Sequence, residues 1–190
     1  LKRGSGMIRS IGVMVAAVAL SGCAMNAPQY SARMDNVIKL KDAQFRDAKV
    51  ADFSSLPAKD NANPISLRGS SLESPYGKSY SAYLTEAIKQ ELTLAGKYSQ
   101  ASNVEISGEL QRNDLNAGSI TTGDGFIAAR IVVKKDGQVA YDQVKSATIT
   151  WPSSFAGPVA IPAAAQSYPK LVQTLLDTLF SDKAFLDALK

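Results

Sequence analysis

The dipeptide Asp136-Gly137 lies between two strand-like runs, residues 126–133 and residues 139–151, and both of its members tolerate the positive φ of a tight primed turn. Such a turn obliges its flanks to pair antiparallel, so this chain must be built around an antiparallel sheet. Upstream, Val104-Glu105-Ile106-Ser107-Gly108-Glu109-Leu110 alternates strictly, with Val104, Ile106 and Leu110 on one side and Glu105, Ser107 and Glu109 on the other. A period of two with one apolar side describes a half-buried strand. Lys145, Thr148 and Thr150 are expected to join the three polar residues on the sheet's wet face.

Helical periodicity is as plain elsewhere. In residues 79–96, Tyr80, Tyr83, Leu84, Ala87, Ile88, Leu92 and Ala95 recur at three- and four-residue steps, with Ser81, Glu86, Lys89, Gln90 and Thr93 opposite. Gly96 suits a left-handed helix end. Near the C-terminus, Leu171, Val172, Leu175, Leu176, Leu179 and Phe180 repeat the pattern, and Phe185, Leu186 and Leu189 resume it after a break at Ser181-Asp182. Residues 37–40 and 48–53 read as short strands. Residues 54–78 read as a loop rich in Ser, Asn, Pro and Gly, and residues 153–165 as a Pro/Ala/Gly-rich apolar loop. Together these elements predict an α+β fold: an antiparallel sheet with two main helices packed on one face. At 190 residues, with 45% hydrophobic and 20% charged side chains, the chain is sized for one ordinary globular core.

Histidine is absent and cysteine occurs once. Ser-His-Asp and Cys-His nucleophilic systems, Cys/His zinc sites and an intrachain disulfide are thereby excluded. No nucleophile stands beside a recognisable base, so no catalytic residue, metal or cofactor is expected and the chain is read as a non-enzyme. Glu105 and Glu109 share a strand face, but four residues set them about 13 Å apart, beyond the ~5 to 9.5 Å of a glycosidase pair. Asp114 and Asp124 flank the loop of residues 116–123, which could bring them together around a cation or be a plain Gly-rich turn. That loop lacks the Lys-Ser/Thr of a phosphate-binding loop.

The N-terminus carries Lys2, Arg3 and Arg9, then the apolar residues 11–20, then Ser21-Gly22-Cys23. Ten residues of helix span about 15 Å against a hydrocarbon core of ~30 Å, so this is a signal-peptide core and not a membrane span. Leu20-Ser21-Gly22-Cys23 resembles the lipobox of bacterial lipoprotein precursors. The resemblance implies diacylglycerol attachment to the Cys23 sulfur, with Leu20, Ser21 and Gly22 read by the signal peptidase. It divides the chain into a signal peptide (1–22), a lipidated tether (23–36) and a single periplasmic domain (37–190). Ala24, where aspartate would signal inner-membrane retention, implies the periplasmic face of the outer membrane. Removing residues 1–22 takes away three of the 21 basic residues and none of the 17 acidic ones. The net charge of +4 falls to +1, and no argument for nucleic acid remains.

Residues 83–110, taken with the hairpin, are similar in element order to small envelope lipoproteins: penicillin-binding-protein activators, the curli-secretion lipoprotein and the lipopolysaccharide-assembly lipoprotein. That resemblance implies a non-catalytic accessory or assembly factor contacting an envelope protein. The alternative is a lipid- or glycan-binding lipoprotein with an apolar cavity between sheet and helices. Candidate partner-binding residues are Trp151 and Phe155, in a proline-restricted apolar loop, and Arg68 and Tyr76, in the segment before the first main helix. For Trp151 and Phe155 the competing reading is that they cover the end of the sheet.

Overall fold

The computed structural model describes residues 24–190. The predicted sheet forms from β6 (Val104–Asn116), β7 (Thr122–Lys135) and β8 (Gln138–Pro152), a continuous antiparallel meander. Asp136 and Gly137 take φ of 50° and 79°, both positive as the primed turn requires. Two short strands, β2 (Lys49–Val50) and β3 (Ser54–Ser55), run one after the other along the outer edge of β6, both parallel to it. A register shift between Leu110 and Arg112 exchanges the faces of β6. Val104, Ile106 and Leu110 point inward before it, and Asn113 and Leu115 after it.

Helix α2 (Tyr80–Leu94) and helix α3 (Gly157–Phe180) cover the inner face, as the sequence predicts. The Ser79 side chain caps α2 by accepting from the Ala82 amide, and Gly96, at φ 69°, follows its last turn. Ile106, Ile127, Ala129, Ile131 and Val133 of the sheet and Leu171, Leu175 and Leu176 of α3 are fully buried in one hydrophobic cluster.

Several expectations are corrected. The supposed tether is part of the domain. β1 (Ala24–Asn26) pairs in parallel with β5 (Ser70–Glu73), which pairs with β4 (Ile65–Leu67) in a second, small sheet. Ala27 and Tyr30 are buried, and α1 (Met34–Asp42) follows. Residues 37–40 are therefore helical, with Asn36, Val37 and Leu40 on one buried stripe; four residues are too few to separate that pattern from alternation. Residues 54–78 hold β3, β4 and β5 and are not a plain loop.

Lys145 is not on the wet face with Thr148 and Thr150. An unbroken strand sends odd and even positions to opposite sides, and Lys145 shares parity with the buried Tyr141, Ala147 and Trp151. It points toward the helices, where its ammonium meets Asp182 at 2.6 Å. Asp182 also accepts from the Tyr141 hydroxyl and from the Ala184 amide, both at 2.8 Å, and so caps α4 (Lys183–Ala188). The Lys145 hydrogen bond leads in drawing its carboxyl down to about 2. Ser81, expected on the outer side of α2, is buried, as is Thr85, whose hydroxyl accepts from the Phe53 amide at 3.0 Å where the segment joining β2 and β3 packs along the helix.

The apolar loop of residues 153–165 is mostly helix, since α3 begins at Gly157. Pro158 falls in its first turn, where the missing N–H costs nothing. Pro162 and Pro169 lie inside the helix. The alanines at 160 and 163–165 favour helix, and packing on β7 and β8 outweighs the two hydrogen bonds that the prolines forgo.

Candidate functional site

At one end of the sheet three connections come together: the β4–β5 turn, the β6–β7 loop and the β8–α3 loop. Arg68 sits in the first with φ 49°, a left-handed conformation that a residue bearing a Cβ adopts at a cost, followed by Gly69 at φ 86°. Its guanidinium gathers the other two. Nε donates to the Ala117 carbonyl at 2.6 Å, Nη2 to the Ser119 carbonyl at 2.9 Å and Nη1 to the Phe155 carbonyl at 2.9 Å. The Ser153 amide adds a bond to the Thr121 carbonyl at 2.8 Å. Five donors in a fixed fork suit Arg to this bridging in a way that Lys does not share.

The two aromatic candidates part company here. Trp151 is buried and lies against Gly123, where an added Cβ would overlap the indole; Gly125 is likewise confined by Leu115, at 2.7 Å from such a Cβ. Trp151 thus seals the end of the sheet. Phe155 is 81% exposed, and Ile120 (62%) and Val159 (58%) are its exposed apolar companions in the stapled loops and the first turn of α3. Val159 belongs to the apolar loop that the sequence marks for binding, whereas Ile120 was not singled out. A signal for both was present in the absence of charge: residues 115–123 and 151–169 contain no Asp, Glu, Lys or Arg.

Tyr76 lies elsewhere, in an aromatic column. Its ring meets Tyr83 edge to face at 5.2 Å, and Tyr83 meets Tyr168 at 5.0 Å in the same way. The Tyr76 hydroxyl accepts from the Tyr30 amide at 3.2 Å, while Tyr83 donates to the Pro28 carbonyl at 2.9 Å. Tyr76 therefore helps to fasten the N-terminal segment. Burial raises the phenols of Tyr30, Tyr80, Tyr83 and Tyr168 well above their usual range, so all four act as neutral donors.

Beneath this column is Glu91, fully buried on α2. Its Oε1 accepts from the Tyr30 hydroxyl at 2.6 Å, the Arg33 amide at 3.0 Å and Asn36 Nδ2 at 3.3 Å. Within the described residues Oε2 has no partner, nor does Asn36 Oδ1. Desolvation raises the Glu91 carboxyl despite the three donors. The sequence signal was a glutamate three and four residues beyond Ile88 and Ala87, squarely on the apolar stripe of α2.

The carboxylates weighed for chemistry stay apart or are paired. Glu105 meets Lys49 at 3.4 Å, and Glu109 stands opposite Arg130, whose Nε donates to Asp142 at 2.7 Å. Asp124 accepts from Asn116 at 3.1 Å, with Asp114 diagonal to it on the same face. Among the described residues no group of three or more His, Cys, Asp or Glu could hold a metal ion, and no helix is long and apolar enough to cross a membrane. Cys23, with Leu20, Ser21 and Gly22, lies outside the described residues.

No family model matches this sequence, and no curated protein matches it. Its fold is similar to that of protein XCC0632 from Xanthomonas campestris, of the DUF330 family: TM-score 0.55 at 12% identity, covering 84% of this chain and 96% of that one. This likeness shows a shared fold alone. A candidate lipoprotein from Caulobacter crescentus aligns with TM-score 0.44 at 11% identity, over 81% of this chain and 96% of its own. A hypothetical protein of Chlamydia trachomatis, CT253, aligns with TM-score 0.39 at 9% identity, over 55% and 72%. These two are too distant to carry an argument.

Proposed function

We propose that the chain is a lipid-anchored lipoprotein of the bacterial envelope, held at the periplasmic face of the outer membrane, where it acts by contact as an accessory or assembly factor. The observation that carries the reading is Leu20-Ser21-Gly22-Cys23 at the end of a basic-then-apolar leader, with the chain's single cysteine in the position that acylation requires. A thiol is the side chain suited to forming the thioether. Two or more acyl chains, each buried methylene adding about 0.8 kcal/mol, make attachment effectively lasting. A role in contact rather than catalysis is supported by carboxylates that are paired or solvated and by the lack of histidine.

The test is metabolic labelling with palmitate. Cys23→Ser is expected to abolish incorporation and to leave full-length precursor, while the parent chain carries label and loses residues 1–22. Equal labelling of both chains rejects the reading. Density-gradient separation of the two membranes then places the protein: the parent chain in the outer fraction and Ala24→Asp in the inner.

A further inference from the structure

We propose that the apolar patch formed by Ile120, Phe155 and Val159 is a bilayer-contacting surface, seated in the interfacial layer of the same membrane that holds the Cys23 acyl chains. The inference rests on the lipid-anchor reading and adds to it an orientation and a second point of contact.

Position comes first. Ala24 is one peptide bond from Cys23 and already pairs with Ser71 in β1–β5, so no slack separates the acylated residue from the folded domain. Ser71 is three residues from Arg68, whose guanidinium holds the carbonyls of Ala117, Ser119 and Phe155. Adding about 4 Å for one Cα step, ~5 Å between paired strands and ~10 Å for three residues of hairpin puts Cys23 within roughly 20 Å of the Arg68 backbone. An anchor at this end obliges this end to face the lipid.

The surface there suits that neighbour. Three apolar side chains are more than half exposed, the two stretches that carry them contain no Asp, Glu, Lys or Arg, and the Arg68 cation at this end turns its donors onto three loop carbonyls. The opposite end differs sharply. α3 runs from Gly157 at the tip for 24 residues, about 36 Å, to a region where Lys183, Asp187, Lys190, Arg46 and Lys135 cluster. The first end carries the start of the domain and exposes its apolar side chains from stretches without Asp, Glu, Lys or Arg; the other exposes Val139 among Arg130, Lys134 and Asp142. An interfacial side chain enters the acyl boundary by only ~5–10 Å, a depth that loop residues such as Phe155 can reach without unfolding anything.

The test uses the mature acylated protein in vesicles of phosphatidylethanolamine and phosphatidylglycerol with lipids brominated along the acyl chain. Once Cys23 is a thioether, Ile120→Cys, Val159→Cys and Lys183→Cys each offer one thiol for a bimane label. Strong loss of fluorescence at 120 and 159, with none at 183, is expected. Flotation with the vesicles and palmitate content report the anchor separately. Anchored protein whose labels at 120 and 159 escape quenching overturns the proposal while leaving the lipoprotein reading intact, and so does protection of those sites by a bound protein. Unacylated protein overturns both. A second variant, Phe155→Ser in the Ile120→Cys background, should reduce quenching at 120 without altering flotation; its exposed position keeps folding out of the comparison.

Discussion

At the scale of single residues, Glu91 sets a buried carboxylate against its own desolvation. A carboxylate with three donors on one oxygen and none on the other is held by hydrogen bonds and opposed by desolvation. Desolvation prevails, so the folded-state pKa lies above the unfolded value of 4.5. The proton is then bound more tightly by the folded chain. The contribution to stability is complete below pH 4.5, declines as pH rises through the folded-state pKa, and is flat beyond it. Glu91→Gln keeps an acceptor for Tyr30 and the Arg33 amide and has no charge to desolvate. Its urea midpoint relative to the parent chain should therefore rise with pH across that window; parallel profiles would show that Glu91 is not strained. Glu91→Ala strands the Tyr30 hydroxyl and the Arg33 amide and should cost about 1–3 kcal/mol at neutral pH. Asp182 has the opposite sign: with Lys145 beside it, its pKa falls to about 2, and its contribution is lost only in strong acid.

At the scale of elements, what the sequence revealed depended on whether the pattern was longer than its ambiguity. α2 has six of the periodic apolar positions in register, with Ala95 as its C-terminal cap, the primed turn has two residues with one shared conformational demand, and both stand as predicted. Residues 37–40 offered four positions, too few to tell α1 from a strand. β1 has three paired residues, and its anchoring by Tyr30, Tyr76 and Tyr83 joins residues more than 40 apart, which no local period can express. Lys145 was a different case, because parity alone excludes it from a face shared with Thr148 and Thr150. At the candidate site, Phe155 and the apolar loop were legible. Arg68's role was not, since its partners are backbone carbonyls, which carry no residue code. Gly108 tests the packing of β6 directly. A Cβ there would collide with the Arg130 carbonyl across the ladder and approach Phe53 Cε1 to 2.5 Å. Gly108→Ala should lower stability by roughly 1–3 kcal/mol, read from denaturant midpoints, with Ser107→Ala beside it as the near-neutral comparison.

At the scale of the whole molecule, the order of the chain builds a body with two unlike ends. β6 and β8 both run toward the apolar tip, and β7 and α3 run away from it, so the β6–β7 and β8–α3 connections necessarily meet there. Two adjacent loops with exposed apolar side chains would ordinarily be free to collapse onto one another. Arg68 prevents this from a third connection, holding each loop by its carbonyls and leaving the side chains of Ile120 and Phe155 outward. Its own left-handed backbone conformation is tolerated because the guanidinium satisfies three acceptors at once. Arg68→Ala should therefore loosen the tip without dismantling the core. Backbone amides of residues 118–121 and 153–156 are expected to exchange faster with solvent deuterium, while β6, β7 and α3 retain protection and overall stability falls by about 1–3 kcal/mol. Arg68→Lys, a single point donor in place of the fork, should restore only part of that protection. Unchanged exchange in both loops would mean that the Ser153–Thr121 bond and the seating of Trp151 hold the tip unaided, and that Arg68 is a bystander at its surface.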